Sequence, residues 1–399
     1  MASGPWNPLM QQERRNNVQT ETFRILFAAG GTGGHLYPAI AIADEIKRVQ
    51  PGTRITFVGT EETIEARVVP MRGYSFVPIW ISGFQRRFTL QNILFPLKVS
   101  VALGQSFSLI RRLRPHVVVG TGGYVCGPVL YAATLLGRPT LIQEQNSYPG
   151  VTTRLLASRV DEVHIAFESS RYYLKGARNV KLSGNPTRSS LGTISKEGGR
   201  TFFGLEPEKK TLLVLGGSAG ARSINTALRE ILPHLAGLDV QVIWQTGAED
   251  YDRIKDAVES MPGTIQIVTR VYKFIESMEF AYGACDLAVC RAGATTIAEL
   301  ARAGIPSVLV PYPYAAADHQ THNAKAVANH GASAMLADSS LTSQLFRTVR
   351  TLLADPAQLK RMSEKAHAMS KPAAAETLAQ AVISLARSGY DGSGEGLQI

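Results

Sequence analysis

FRILFAAGGTGGHLYPAIAIADEIKRV, residues 23–49, is the stretch that decides the fold. Its first seven residues form an apolar run of strand length, and Gly30-Gly31-Thr32-Gly33-Gly34 then demands a tight turn. Leu36, Ile40, Ala43 and Ile46 recur at helical spacing, and Pro38 fits the first helical turn, where its missing N–H costs nothing. Strand, glycine turn and helix in that order open a βα unit, and the alternation continues along the chain. Strand candidates follow at 54–59, 74–80, 116–120, 140–145, 162–167 and 179–184. A second series restarts at TLLVLGG (211–217) and continues at 240–247, 265–271, 287–291, 306–311 and 333–336. Strands separated by helix-length segments predict parallel sheets made of right-handed βαβ units. The expected class is therefore α/β, with two Rossmann-like doubly wound domains facing across a cleft, joined near the Gly-, Pro- and Ser-rich segment 183–199. The expected partition is 23–186, 187–373 and a helix at 374–388 that closes one of the two, with 1–22 and 389–399 as disordered ends.

Composition narrows the class. Hydrophobic residues make up 45% and charged ones 19%, which excludes a disordered, collagen-like or coiled-coil chain. Cys126, Cys285 and Cys290 are too few and too far apart for a disulfide framework or a thiolate zinc site, so a reducing compartment is expected. Residues 1–22 lack the apolar core of a signal peptide, and no later stretch reaches the roughly 18 apolar residues of a membrane span, predicting a soluble or peripheral protein. The net charge is +10, and its distribution is uneven: no acid lies between Glu65 and Glu144, while Arg67, Arg72, Arg86, Arg87, Lys98, Arg111, Arg112, Arg114 and Arg138 do. Within that stretch Phe84, Phe88, Leu90, Ile93, Leu94, Phe95 and Leu97 mix with the cations. Such a pattern suits an anionic bilayer surface, and equally a core-packed helix pair with a basic rim. No nucleic-acid-binding motif accompanies the charge.

Three glycine loops follow strands: 30–34, Gly120-Thr-Gly122-Gly123-Tyr124-Val-Cys126-Gly127, and Gly216-Gly-Ser218-Ala219-Gly220. None fits G-x-G-x-x-G/A, and no G-x-x-x-x-G-K-[ST] occurs, so neither a dinucleotide fingerprint nor a P-loop is present. Glycine turns ahead of helices let phosphate approach free N–H groups, although tight packing alone also selects glycine. His35 stands at a helix N-terminus, where the dipole favours neutral imidazole and hence a general base; the alternative is a simple cap. Glu299 is placed for ribose hydroxyls, or, through the Thr296-x-x-Glu299 spacing, for a capping box. The polar loop 311–323 follows a strand and suits hydroxyl recognition, with Asp318 a candidate helix cap. The single D-x-D, Asp250–Asp252, lacks further recognisable metal ligands.

Taken together, GGTGGHLYPAIAIA, ISGFQRR, GTGGYVCGP, QEQNSYPG, SGNPTR, GGSAGAR, CRAGATTIAEL and PYPYAAADHQTHNA resemble, in order and spacing, the MurG family of bacterial N-acetylglucosaminyltransferases of peptidoglycan synthesis, across about 23–388. The resemblance implies a GT-B fold whose C-terminal helix crosses back to the N-terminal domain. It also implies an inverting transfer of GlcNAc from UDP-GlcNAc to lipid I, giving lipid II, with no cofactor and no metal. The implied base is His35. For the donor it implies Phe274 and Ile275 at uracil, Glu299 at ribose, Ser218 and Arg188 at the diphosphate, and Ala294 and Gln320 at GlcNAc. Thr32, Gly33, Gly34, Asn146 and Thr295 complete the donor set. Gly122, Gly123 and Tyr124 would hold the acceptor diphosphate. Phe84, Arg86, Arg87, Phe88, Ile93, Leu94, Phe95 and Lys98 would meet an anionic membrane, at the cytoplasmic face of the cell membrane. Ala219 and Thr321 stand where glutamines occur in the family's motifs. Three rival readings are a UDP-GlcNAc 2-epimerase, which needs additional cleft carboxylates, a nicotinamide-dependent oxidoreductase using Glu61 or Glu62, and a non-catalytic membrane-recruitment module, against which His35 and Glu299 count.

Overall fold

The computed structural model describes residues 22–83, 94–217, 219–262 and 267–391. Seven strands, β1 (Arg24–Ala28), β2 (Arg54–Gly59), β3 (Ser75–Pro78), β4 (Val117–Gly120), β5 (Thr140–Glu144), β6 (Glu162–Ile165) and β7 (Val180–Leu182), form one sheet. Their order is β3-β2-β1-β4-β5-β6-β7, every pairing parallel. Six more, β8 (Lys210–Leu215), β9 (Val240–Gln245), β10 (Thr269–Tyr272), β11 (Leu287–Arg291), β12 (Ser307–Val310) and β13 (Ser333–Met335), form the second. That sheet runs β10-β9-β8-β11-β12-β13, again parallel throughout. Every strand expected from the sequence is present.

Helices cover both faces of each sheet, which is why the strands read as unbroken apolar runs. The period of two is still visible in who packs where. Ile25 and Phe27 enter one core layer with Leu36, Ile40 and Ile46 of the helix Gly33–Val49, whereas Leu26 and Ala28 enter the opposite layer with Val118 and Val129. In the second sheet Leu212 and Val214 face one layer and Leu213 and Leu215 the other. Each fully buried Leu, Ile, Val or Phe among them contributes about 1.5–3 kcal/mol.

Two details depart from expectation. The first helix begins at Gly33, so Pro38 lies in its second turn and leaves the Gly34 carbonyl without its helical partner. The last helix runs Ala374–Asp391, beyond the expected end at 388, so residues 389–391 belong to it and not to a tail. Gly389 is glycine because a Cβ there would collide with the His116 carbonyl, and Tyr390 packs edge-on against Phe23 and His116. Leu378, Ala379, Val382 and Ala386 of this helix complete the core of the first lobe. The chain thus passes between lobes twice, after β7 and again ahead of residue 374. The two crossings touch, since a Cβ at Gly184 would run into the Lys371 side chain.

Each sheet reverses its winding direction once, between β1 and β4 and between β8 and β11. At such a switch point the loops diverge and leave a crevice beyond the carboxyl ends of the strands. All three glycine loops rise at these two points.

Candidate active site

The first crevice is built around His35. Adjacency of β1 and β4 brings their loops together: the Thr121 amide donates to the Ala28 carbonyl at 3.1 Å, and the Thr121 hydroxyl to the His35 carbonyl at 2.8 Å. The His35 ring turns back so that Nδ1 lies 3.2 Å from the Gly30 carbonyl and 3.3 Å from the Thr32 hydroxyl, and it caps nothing in its own helix. Its other edge lies on the second loop, where a Cβ at Gly122 would fall 3.0 Å from Nε2. Gly123, with φ of +86°, allows this approach; a Cβ there would strike the Gly30 carbonyl. Among the described residues Nε2 makes no hydrogen bond. Burial pushes the imidazole below its ordinary range, Glu144 opposes that shift, His319 of the second lobe adds to it, and Glu65 opposes it. A partly buried, neutral histidine with a free Nε2 can accept a proton near neutral pH.

The loops divide their amides. Gly31 N–H is taken by Glu65, and Gly122 N–H by the Cys126 thiol at 3.2 Å, whose own proton goes to the Ala28 or Gly122 carbonyl. Those of Thr32, Gly33, Gly34, Gly123 and Tyr124 bond to no described residue and stay open to an anion.

The seam between lobes is polar. Glu144, 3% exposed, accepts from Asn146 N–H, Gly150 N–H and the Thr153 hydroxyl. Asn146 Oδ1 accepts in turn from Asn323 Nδ2 at 3.1 Å, and Asn323 Oδ1 accepts from Ser147 N–H at 2.8 Å. Beside this, Tyr148 stacks on His322 with ring centroids 4.7 Å apart. Asn185 Nδ2 reaches the Ala294 carbonyl across the same boundary.

In the second lobe Glu299 does not form the capping box. Its helix, Ala294–Ala303, starts after Gly293, and the carboxylate instead accepts from the Tyr282 hydroxyl at 2.9 Å, with Arg188 3.9 Å away. Burial pushes the Glu299 carboxyl up, and Tyr282 and Arg188 hold it down. A carboxylate beside an exposed guanidinium is the charge pattern that a ribose followed by a diphosphate requires. Thr295 stands in the first turn of that helix. Gln320 presents its Nε2, its Oε1 being held by Tyr312 N–H at 2.9 Å, and the Thr321 hydroxyl is committed to Asp318 at 2.6 Å. Phe274 is 54% exposed, whereas the Ile275 side chain is buried and its N–H donates to Gln245. Asp250 is engaged by Asn225 and Arg253. Ser218, Phe84, Arg86, Arg87, Phe88 and Ile93 lie outside the described residues.

At the rim of the first lobe the helix Phe95–Leu113 buries Ala102, Ser106, Leu109 and Ile110 and leaves Leu94 and Leu97 exposed at its start. Lys98 bridges from there to the Ser82 hydroxyl and lies over the half-exposed Trp80 ring, 5.6 Å from its centroid. Among the described residues no helix is long and apolar enough to cross a membrane.

Several of these residues escaped the sequence reading, namely Glu65, Glu144, Tyr282 and Trp80, whereas Cys126 and Asn323 lie in loops that it singled out. One signal was available, because Glu65 and Glu144 are the two acids that bound the acid-free stretch.

Two Rossmann-like lobes whose switch points face each other, a free imidazole on one and a carboxylate–guanidinium pair on the other define a glycosyltransferase of the GT-B type. Comparison with known proteins agrees. Residues 25–165 match the glycosyltransferase family 28 N-terminal domain and residues 211–378 its C-terminal domain. The chain is 48% identical over 371 residues to the UDP-N-acetylglucosamine–N-acetylmuramyl-(pentapeptide) pyrophosphoryl-undecaprenol N-acetylglucosamine transferase of Chlorobaculum tepidum, covering 92% of this chain and 100% of that one. It is 45% identical to the protein of the same name from Salinibacter ruber, covering 92% and 98%. The crystal structure of Acinetobacter baumannii MurG superposes with a TM-score of 0.74 at 29% identity, covering 91% of this chain and all of that one. A UDP-N-acetylglucosamine 2-epimerase structure, 15% identical with a TM-score of 0.60, shares the fold alone. The chain belongs to the MurG family.

Proposed function

We propose that this protein transfers GlcNAc from UDP-GlcNAc to the C4 hydroxyl of MurNAc in undecaprenyl-pyrophosphoryl-MurNAc-pentapeptide, converting lipid I to lipid II for peptidoglycan synthesis. The observation that carries the chemistry is the His35 ring, held through Nδ1, without a described partner at Nε2, and near enough to the second lobe to feel His319. Nε2 takes the proton of the C4 hydroxyl, and that oxygen attacks the anomeric carbon from the face opposite UDP, so the α linkage of the donor becomes β. UDP leaves with added negative charge, which Arg188 and the turn after β8 stabilise; losing one such preorganised donor costs about 10²–10³ in rate. Glu299 grips the ribose and Gln320 the transferred sugar, with Phe274 against the uracil. The open amides of Gly123 and Tyr124 receive the acceptor diphosphate, with Gly122 supplying room rather than a donor.

The acceptor is a membrane lipid, so the enzyme works as a peripheral protein at the cytoplasmic face. Trp80, Leu94 and Leu97 supply exposed apolar surface with the Lys98 cation beside it. The decisive experiment supplies radiolabelled UDP-GlcNAc and a lipid I analogue and determines the anomeric configuration of the product. A β-linked disaccharide is expected. Consumption of the nucleotide sugar without acceptor, or an α-linked product, would sink the assignment.

A further inference from the structure

We propose that Glu65 is a positioning residue for His35, acting through the one peptide group that joins Gly30 to Gly31. The proposal rests on the reading of His35 as the base.

Glu65 lies in the first turn of the helix Ile64–Met71 and is 1% exposed. Among the described residues no Lys, Arg or His pairs with it. Its carboxylate accepts from Gly31 N–H, Thr60 N–H and the Thr60 hydroxyl, each at 3.3 Å. Gly31 N–H and Gly30 C=O are two ends of one amide, and that carbonyl is the group 3.2 Å from His35 Nδ1. The sequence of contacts therefore runs carboxylate, amide N–H, amide C=O, imidazole Nδ1–H. The fold makes room for this path: a Cβ at Gly30 would fall 2.7 Å from Glu65 Oε1, and one at Gly59 would collide with the Glu65 side chain. The Thr60 hydroxyl extends the contact to Thr63 at 2.8 Å and to the Tyr124 hydroxyl at 3.4 Å, on the second glycine loop.

A buried carboxylate without a cation is costly to fold, and a glutamine or an apolar residue would fill the same space without that cost. What the charge adds is polarisation. Hydrogen bonds in series strengthen one another in a low-dielectric interior, so an anion on the N–H end makes the Gly30 carbonyl a stronger acceptor. A stronger acceptor holds the proton on Nδ1 and leaves the lone pair on Nε2. The same charge favours the imidazolium that forms when Nε2 takes the acceptor's proton. An aspartate behind a triad histidine works in this way by direct contact; here one peptide group stands between. The other groups facing His35 are the Thr32 hydroxyl on its own helix, Glu144 at the end of β5 and His319 from the second lobe. Those facing Glu65 are Gly31, Thr60 and, through Thr60, Thr63 and Tyr124.

The test compares full-length wild type, Glu65→Gln, His35→Ala and the double variant, assayed with UDP-GlcNAc and a lipid I analogue. Glu65→Gln is expected to keep the KM for UDP-GlcNAc within about twofold. Its kcat should fall about 10- to 100-fold, by analogy with the groups that orient metal-bound histidines from behind. The acid limb of its kcat/KM profile should move to lower pH, because removing a nearby negative charge disfavours imidazolium. In the His35→Ala background the same substitution should cost nothing further, and ¹⁵N spectra of the His35 ring should show the Nδ1–H tautomer in wild type and a mixture in Glu65→Gln. Wild-type kcat with an unmoved acid limb, or an equal loss in the His35→Ala background, overturns the proposal. Should Glu65→Gln not fold, Glu65→Asp, which keeps the charge and shortens its reach, is read by the same spectra, and an unchanged tautomer there overturns it too. Normal turnover by His35→Ala removes the base reading instead, and the tautomer comparison then decides the Glu65 contact by itself.

Discussion

His35 has one nitrogen held and one nitrogen free, and that asymmetry is what a base requires. Replacing it by alanine should lower kcat by about 10²–10⁴, the usual share of a positioned acid or base, while UDP-GlcNAc binding in an equilibrium titration stays intact. Because burial lowers the imidazole, the acid limb of kcat/KM should fall below the ordinary value of about 6.5; a limb above it would contradict the burial seen here. The residue was legible in the sequence because four glycines around one histidine leave little else to shape a pocket. Its electrostatic surroundings were not. Glu65 reaches Gly31 across 34 positions of sequence, and Glu144 is satisfied by Asn146, Gly150 and Thr153 in a loop whose path no local pattern dictates. Glu299 shows the opposite failure: a capping-box spacing was present, but the helix starts early enough to carry the carboxylate past the cap, to Tyr282.

The strands were legible as a set because a parallel sheet covered on both faces needs runs such as Val117–Val119 and Val308–Val310, which few other structures tolerate. Helix ends were less so. Gly389 reads as the start of a flexible tail until one sees the backbone of His116 against it. The helix Phe95–Leu113 was ambiguous between a core partner and a membrane face: Ala102, Leu109 and Ile110 pack inward, while Leu97 and the preceding Leu94 stay in solvent, and on the proposed reading these meet the bilayer. Trp80→Ala with Leu97→Glu should therefore weaken sedimentation with anionic vesicles by about tenfold or more, since burying either side chain is worth about 1.5–3 kcal/mol. Turnover of a short-chain, water-soluble acceptor should be unaffected. Equal binding of variant and wild type to the vesicles would remove this face from the docking surface.

Taken whole, the molecule is two sheets held across a seam by specific bonds, and Asn323 carries two of them. It is fully buried, accepts from Ser147 and donates to Asn146 and Ala292. Asn323→Ala would strand the Ser147 N–H and the Asn146 amide oxygen, at about 1–3 kcal/mol for each unsatisfied group. A urea melt should show that loss, and small-angle scattering should show a wider average separation of the lobes; an unchanged melt and scattering curve would mean the seam is held elsewhere. The crossings of the chain carry a further consequence. Because the segment at Gly184 lies against Lys371, both passages sit at one spot, like a door hung on a single pin. Movement of one half against the other must then be a swing about that spot, smallest beside it and largest at the far edge. A bulky side chain introduced at Gly184 would act as a doorstop.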